Sequence, residues 1–282
     1  GLRAQHIQLL ESLSAYNNLY GIHDPRARLN PVAYSHYRTL LFGRNLSILS
    51  RVGPAQADHT QRNNKLAHHI LLTATERTEA GPGWLCAAPG FFMDSWMGEP
   101  RVLETPKEIP AGHLDSLPSV SAWETLTGDR GWAGCLAHWF LARPATPTYI
   151  VFEPGMDVLP LVVEAQAFLP PTQRWQVTFN TFFTALPARM SCNWRFCVAD
   201  APCLKEARRQ LRAQLIDLTK PLSAPPDNDL VQLARRGSLP CHDATQPEKQ
   251  QKDTGFIPLP NRNKRKLRMK PGKREDDDRD DA

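Results

Sequence analysis

The feature that most limits the fold of this 282-residue chain is a change of composition after Lys220. Before that residue, apolar runs alternate with turn formers, whereas proline and charged residues dominate after it. Such a segment cannot bury enough apolar surface to offset the entropy lost on ordering. We therefore predict a single folded domain over residues 1–220 and a disordered, charged, low-complexity tail over residues 221–282. The prolines of that tail are Pro221, Pro225, Pro226, Pro240, Pro247, Pro258, Pro260 and Pro271.

Hydrophobic periodicity predicts both helices and strands within residues 1–220. An amphipathic helix opens the chain and ends near Tyr16, and two β-branched and aromatic runs flank Gly43, which tolerates the positive φ of a hairpin turn. Asp157 is placed to cap the helix that follows it. These patterns predict an α+β fold, with one mixed sheet and flanking helices. The expected strands are 32–41, 46–52, 65–72 (which also fits a helix), 148–152, 175–184 and 193–198, and the later helices are 121–126, 132–142, 158–168 and 204–218.

Cysteine usage and hydropathy predict a cytoplasmic protein. The chain has six cysteines, most of them among apolar residues, as expected for buried free thiols in a reducing compartment. No stretch approaches the roughly 20 apolar residues of a membrane helix. The first residues also lack the basic segment and apolar run of a signal peptide. We expect no membrane partner.

Most of the formal net charge of +5 lies near the end of the chain, because residues 262–282 carry nine Lys/Arg and six Asp/Glu. The basic run from Arg262 to Arg274 could neutralise nucleic-acid phosphates with salt-sensitive affinity. No aromatic residue interleaves with these charges to stack on bases, and an acidic block follows them. Nucleic-acid contact through the tail is therefore kept as a weaker alternative.

The densest polar cluster lies just before and within residues 65–72. Imidazole can act as acid or base near neutral pH, and arginine can hold a phosphate or carboxylate. The candidate catalytic residues are His36, Arg62 and His68. If residues 65–72 form a strand, His68 and His69 point to opposite faces and cannot serve one centre. The alternative is that these side chains are structural, with one histidine hydrogen-bonded in the core.

Other kinds of site have weaker support. Neither a Walker A pattern nor a G-x-G-x-x-G pattern occurs, so we predict no phosphate cradle and no cofactor. The five- and six-residue spacings of Cys192, Cys197 and Cys203 differ from those of zinc knuckles, and we predict no metal site. Ser35 beside His36, and Cys135 near His138, lack a nucleophile-elbow pattern.

A series of short motifs follows one order along the chain. These motifs are Leu13-Ser14-Ala15-Tyr16, Asn30-Pro31-Val32-Ala33-Tyr34-Ser35-His36, Leu49-Ser50-Arg51-Val52, Asn63-Asn64-Lys65-Leu66-Ala67-His68-His69, Trp96-Met97-Gly98-Glu99-Pro100-Arg101, Leu126-Thr127-Gly128-Asp129, Gly131-Trp132-Ala133-Gly134, Pro154-Gly155-Met156-Asp157 and Arg174-Trp175-Gln176-Val177-Thr178-Phe179. Together they resemble the N-terminal domain, type two, of bacterial GTPase-associated proteins. The resemblance runs from about Leu9 to Val198, and relatives place an additional strand before the first helix, so the chain is consistent with a piece of a longer protein. Relatives also carry Arg-Thr-Asn where this chain has Arg62-Asn63-Asn64.

The resemblance implies an adaptor or regulatory role in a GTPase-centred conflict, defence or signalling system. A GTPase or another component of that system is the expected partner. Since aromatic and arginine side chains usually anchor protein contacts, the candidate partner-binding residues are Phe91, Phe92, Trp96 and Arg101. An enzyme or small-ligand receptor built on His36, Arg62 and His68 is the first alternative.

Overall fold

The computed structural model describes residues 4–55, 64–96, 98, 102, 105, 107–113, 118, 120–209 and 213–241. Residues Gly1–His242 form one compact unit. The remaining residues lie outside the described part. They include residues 242–282, which make up most of the predicted tail. No helix among the described residues has the length and apolar character needed to cross a bilayer.

One seven-stranded mixed sheet organises the described residues, in the order β3-β2-β1-β5-β6-β4-β7. The strands β1 to β3 are antiparallel neighbours, and we call them the antiparallel half. The strands β4 to β7 pair in parallel and form the parallel half. Within the described part of the chain, the only ladder between the halves joins β1 to β5. The strands are β1 (Ala33–Leu41), β2 (Arg44–Pro54), β3 (Lys65–Leu72), β4 (Thr148–Phe152), β5 (Phe179–Asn180), β6 (Trp194–Val198) and β7 (Gln214–Asp217).

Helices cover both faces of the sheet. One face packs on α1 and α7, around a core that includes Leu13, Tyr37 and Leu204. The other face packs on α2 to α5 and α8, around a core that includes Trp123, Leu136 and further buried aromatic residues. The helices are α1 (Ala4–Leu13), α2 (Pro82–Ala87), α3 (Ala122–Thr127), α4 (Gly131–Ala142), α5 (Leu159–Ala167), α6 (Pro171–Arg174), α7 (Pro202–Arg209) and α8 (Asp229–Arg235).

The predicted α+β class with a mixed sheet is confirmed, and most of the elements lie where the hydrophobic pattern places them. The hairpin turns through Phe42 and Gly43, both at positive φ (53° and 72°), as a two-residue turn between twisted strands requires. The Asp157 carboxylate accepts the backbone N–H of Leu159, the first residue of α5, at 3.3 Å.

Two predicted elements are wrong in part. The strand expected at 175–184 shrinks to the two residues of β5, because turns occupy residues 175–176 and 181–182 on either side of it. The helix expected at 204–218 ends at Arg209, and residues 214–217 pair in parallel with β4 instead. In this second segment, long-range pairing decides the backbone conformation over local periodicity.

The described structure also extends past residue 220, because α8 lies within the segment predicted to be disordered. The side chain of Asn228 caps α8 by accepting the N–H groups of Leu230 and Val231 at 3.0 and 3.1 Å. Val231 and Ala234 are fully buried against α4. The Arg235 guanidinium pairs with the Asp129 carboxylate at 2.6 Å, at the turn before α4.

A buried arginine holds the two halves of the fold together. The Arg174 guanidinium donates to the carbonyls of Gln166 and Leu169, at the carboxyl end of α5, at 3.2 and 3.1 Å. It also donates to the Glu79 carbonyl, just before α2, at 2.6 Å. Burial lowers the pKa of Arg174 below its ordinary value, but the surrounding carbonyls satisfy the guanidinium. We call this group, with its neighbours, the Arg174 joint.

Two neighbouring contacts extend the Arg174 joint. The Trp175 indole N–H donates to the Thr78 carbonyl at 2.6 Å. The Gln166 side-chain oxygen accepts the backbone N–H of Gly83, in α2, at 2.9 Å. These side-chain bonds add to the short β1–β5 ladder and to the shared apolar core as connections between the halves.

We expect Arg174→Met to lower the free energy of unfolding by about 2 to 4 kcal/mol, because it leaves buried carbonyls without donors. Arg208→Met, at an exposed position of α7, is the control and should change stability by less than about 0.5 kcal/mol. Urea unfolding of both variants measures the difference. Equal stability of the two variants would show that the Arg174 joint contributes little.

Gly134 allows α8 to approach α4, since a Cβ atom there would lie 2.2 Å from the Leu230 carbonyl oxygen. We expect Gly134→Ala to displace α8, to cost about 1 to 3 kcal/mol of stability and to speed tryptic cleavage after Arg235 and Arg236. Gly43→Asn is the control, because nothing lies within 4 Å of a Cβ there and asparagine tolerates positive φ. Unchanged proteolysis of Gly134→Ala would contradict the close packing.

Candidate functional site

His36 lies in the middle of β1 and is fully buried. Its Nδ1–H donates to the Val177 carbonyl at 2.6 Å, and its Nε2 accepts the Ser47 hydroxyl proton at 3.0 Å. The ring also meets the Trp175 ring edge-on, with centroids 5.5 Å apart. Burial lowers the pKa of His36 to about 3. Both nitrogens are therefore occupied, and the imidazole is neutral near pH 7.

His69 lies on the opposite face of the sheet from His68, as the register of a strand requires. Its Nε2 contacts the Ser14 hydroxyl at 2.8 Å, and its Nδ1 contacts the Ser50 hydroxyl at 2.7 Å. The Ser14 hydroxyl also donates to the Leu10 carbonyl, so Ser14 accepts the histidine proton. Burial lowers the pKa of His69 to about 4. This histidine connects α1 to the sheet.

His68 is half-buried and holds backbone rather than facing a cavity. Its Nδ1 accepts the Met93 N–H at 2.9 Å, and its ring meets the Phe92 ring edge-on at 5.5 Å. Burial, with the positive charges of Lys107 and Arg51, lowers the pKa of His68. The imidazole is thus kept in the neutral form that can accept this hydrogen bond.

The candidate catalytic residues do not converge in the described structure. His36 and His68 lie on the same face, but they sit on β1 and β3, and β2 runs between them. His36 is sealed in the core and His68 is engaged with Met93. Arg62 lies outside the described residues, so its position relative to either histidine stays a prediction. The tail from Arg262 to Arg274 is likewise outside the described part.

The predicted partner-binding residues divide between core and surface. Phe91 is 1% exposed, so its prediction as a contact residue is wrong: it packs in the core beneath Phe92. Phe92 is half-buried, whereas Met93 and Trp96 are 37% and 40% exposed. Arg101 lies outside the described residues. We call residues 90–96 the aromatic loop.

Two charged side chains contact backbone carbonyls of the aromatic loop. The Lys107 ammonium donates to the Gly90 carbonyl at 3.2 Å and lies 5.7 Å from the centre of the Phe91 ring. The Arg51 guanidinium reaches the Met93 carbonyl at 3.4 Å. Together with His68, these residues hold the loop backbone at Gly90 and at Met93. Sequence reasoning missed Lys107, since a lone lysine in a polar stretch carries no signal of this role.

Metal binding finds no support among the residues described, where no three His, Cys, Asp or Glu side chains are grouped to hold an ion. The buried Glu164 carboxylate instead caps α3, accepting the Ser121 hydroxyl at 2.7 Å and the Ala122 N–H at 2.5 Å. No local pattern indicates this contact, because Glu164 follows the start of α3 by some forty residues.

The low pKa of His36 makes stability depend on pH. The unfolded imidazole takes up a proton below about pH 6.5, whereas the folded one takes it up only near pH 3. Stability should therefore fall as pH drops from 6.5 toward 3, with about 2 kcal/mol lost at pH 5 through this residue. We expect His36→Gln to be less stable than the wild type at pH 7, with the gap shrinking by about that amount at pH 5.

Urea unfolding at pH 7 and pH 5 checks this dependence. His23→Gln, at an exposed position, is the control. The difference between its unfolding free energies at pH 7 and pH 5 should equal that of the wild type. If stability changes equally with pH in the wild type and in His36→Gln, folding does not lower the pKa of His36. That result would contradict the sealed position and would favour an accessible, catalytic histidine.

Comparison with known protein families divides the chain into two consecutive matches. Residues 1–109 match the model of GTPase-associated protein 1, N-terminal domain type 2. Residues 120–220 match the model of GTPase-associated protein 1, middle domain. No curated protein and no solved structure matched the chain.

The two matches coincide with the two halves of the sheet. The first contains β1 to β3 and the second contains β4 to β7. The resemblance to the type-two N-terminal domain is confirmed, with one correction: residues 120–198, which were assigned to that same domain, belong to the middle domain. The chain therefore belongs to the GTPase-associated protein 1 family and joins its type 2 N-terminal domain to its middle domain in one sheet.

Proposed function

We propose that this protein is a non-catalytic adaptor that binds a GTPase through the aromatic loop, within a cytoplasmic bacterial conflict, defence or signalling system. The family name supplies the kind of partner. The observation that carries the proposal is the pairing of exposed Met93 and Trp96 side chains with a backbone held by His68.

Pre-organisation favours this surface as a binding site. A loop fixed before binding loses less conformational entropy when a partner arrives. Tryptophan is among the residues that most often dominate binding energy, because its large ring buries much area at low entropic cost. The hydrogen bonds of His68 and Lys107 to the loop backbone supply the fixing.

The charges at the base of the aromatic loop favour an acidic partner surface. Lys107 is exposed and Arg51 is half-buried, and both contact the loop backbone. Such charges mainly raise the association rate and make it sensitive to salt. Binding should therefore weaken as ionic strength increases.

The alternative of an enzyme or receptor built on the histidines has less support. A general base needs a free nitrogen within reach of substrate, but His36 uses both nitrogens inside the core. The Met93 N–H occupies the Nδ1 of His68. Their roles as structural groups account for their contacts without a substrate.

If a small GTPase is encoded beside this chain's gene, affinity measurements with it test the proposal, in the GDP form and with a non-hydrolysable GTP analogue. We expect binding to at least one form and a weakening of about 10-fold or more for Trp96→Ala, since a buried aromatic anchor is commonly worth over 1 kcal/mol. Leu215→Ala is the matched control, because Leu215 is 49% exposed on the opposite edge strand.

The controls separate loss of contact from loss of fold. Circular dichroism should show Trp96→Ala and Leu215→Ala folded like the wild type. Absence of binding to either nucleotide form, or equal affinity of Trp96→Ala and the wild type, would reject the aromatic loop as the docking surface. A gene neighbourhood without a GTPase would count against the conflict-system setting.

A further inference from the structure

A pair of thiols lies where β6 meets α7. Cys197 is in β6 and Cys203 is the second residue of α7, and their sulfur atoms are 3.2 Å apart. Both residues are buried. The short connection between them passes through Asp200, whose φ of 63° turns the chain back on itself. A reversal this tight places the two side chains against each other.

A buried cation lies beside this pair. The Arg195 guanidinium is 8% exposed, donates to the Cys192 carbonyl at 3.0 Å and contacts the Tyr149 hydroxyl. It also lies over the Tyr149 and Phe183 rings, 5.0 and 4.9 Å from their centres. A positive charge held in a low-dielectric region stabilises a nearby thiolate.

The two thiols differ in acidity. The pKa of Cys203 lies below the ordinary thiol value, first because the hydrogen bond with Cys197 stabilises its thiolate and also because Arg195 is near. The same hydrogen bond, with burial, raises the pKa of Cys197. Cys203 also directly follows Ala201 and Pro202, which line a surface cavity, whereas Cys197 is fully buried within β6. Its position therefore makes Cys203 the nucleophile of the pair.

The other buried thiols lack this arrangement. Burial raises the pKa of Cys86 well above its ordinary value and that of Cys135 to about 12. Burial likewise raises the pKa of Cys192 to about 12. A thiol is reactive as its thiolate, so these residues serve as internal comparisons.

A surface cavity brings solvent close to Cys203. It has a volume of about 290 Å³ and is lined in part by Phe183, Ala201 and Pro202. Ala201 and Pro202 directly precede Cys203, and the Phe183 carbonyl oxygen lies 3.5 Å from the Cys203 sulfur. A hydroperoxide in this cavity would lie against the two residues that precede Cys203.

We propose that Cys197 and Cys203 are a redox modification site, at which a hydroperoxide converts the two thiols into an intramolecular disulfide. The Cys203 thiolate attacks the peroxide oxygen and breaks the O–O bond, which gives a sulfenic acid and releases water or alcohol. The Cys197 sulfur then attacks the Cys203 sulfur and displaces the hydroxyl group as a second water. The two sulfurs together supply the two electrons that reduce the peroxide.

The geometry needs little change for this bond. The sulfurs must close from 3.2 Å to about 2.05 Å, a shift that side-chain rotation can supply. The disulfide would tie the start of α7 covalently to the end of β6. Oxidation would thereby restrict any motion of α7 against the sheet.

Peptide mass spectrometry of the full chain tests the proposal. The variant Cys241→Ser removes the exposed thiol and serves as the background. After treatment with hydrogen peroxide and alkylation without reductant, we expect the tryptic peptide of residues 196–205 to lose two hydrogen atoms and to resist alkylation. Cleavage before Asp200 should leave its two parts joined until dithiothreitol separates them.

Two variants assign the roles of the thiols. In Cys197→Ser, the reaction should stop at a Cys203 sulfenic acid that dimedone traps. In Cys203→Ser, Cys197 should remain a reduced thiol and should be alkylated to the same extent as Cys135. Sulfinic acid at Cys203 with Cys197 still free, a bond from either residue to Cys192, or full alkylation of both thiols after peroxide would each overturn the proposal. The result on the background protein decides the question even if a variant fails to fold.

Discussion

The hydrogen bonds of Arg174 are the constraint on which the rest of the structure depends. Two consecutive family domains contribute to one sheet, yet the ladder between them contains a two-residue strand. Arg174, Trp175 and Gln166 reach back from the parallel half to the backbone of residues 78–83. Because a buried donor without an acceptor is costly, these polar contacts specify one relative placement of the halves, which the surrounding apolar side chains alone would not do.

The same logic explains the histidines. His36 fastens β1 to Val177, His69 fastens α1 to the sheet, and His68 fastens the aromatic loop. In each case burial favours the neutral imidazole, which can donate at one nitrogen and accept at the other. A histidine-rich stretch that resembles a catalytic cluster in the sequence thus has a mainly architectural role, and the candidate binding surface is a consequence of one of its contacts.

Local patterns predicted the elements whose stability is local. The hairpin, α4 and α5 carry their own turn, capping and periodicity signals, and they lie where expected. The short strand β7 was missed because parallel pairing with β4 overrides a helical pattern. Helix α8 was missed because its few apolar residues, Val231 and Ala234, are diluted in a proline-rich region, although Asn228 offered a capping signal. Of the candidate site, the exposure of Trp96 and the burial of Phe91 both depend on long-range packing that no local pattern reveals.

The brevity of β5 has a consequence for how the molecule opens. Few backbone hydrogen bonds cross from β1 to the parallel half, whereas β1 and β2 share nine aligned residue pairs. Exchange of backbone amide hydrogens for deuterium should therefore divide the molecule into two cooperative units. The β1–β5 ladder should open at a lower free energy than the β1–β2 hairpin or the parallel ladders of β4 to β7. A partner that contacts both halves of the sheet would hold this ladder closed, and it would slow amide exchange in both halves at once.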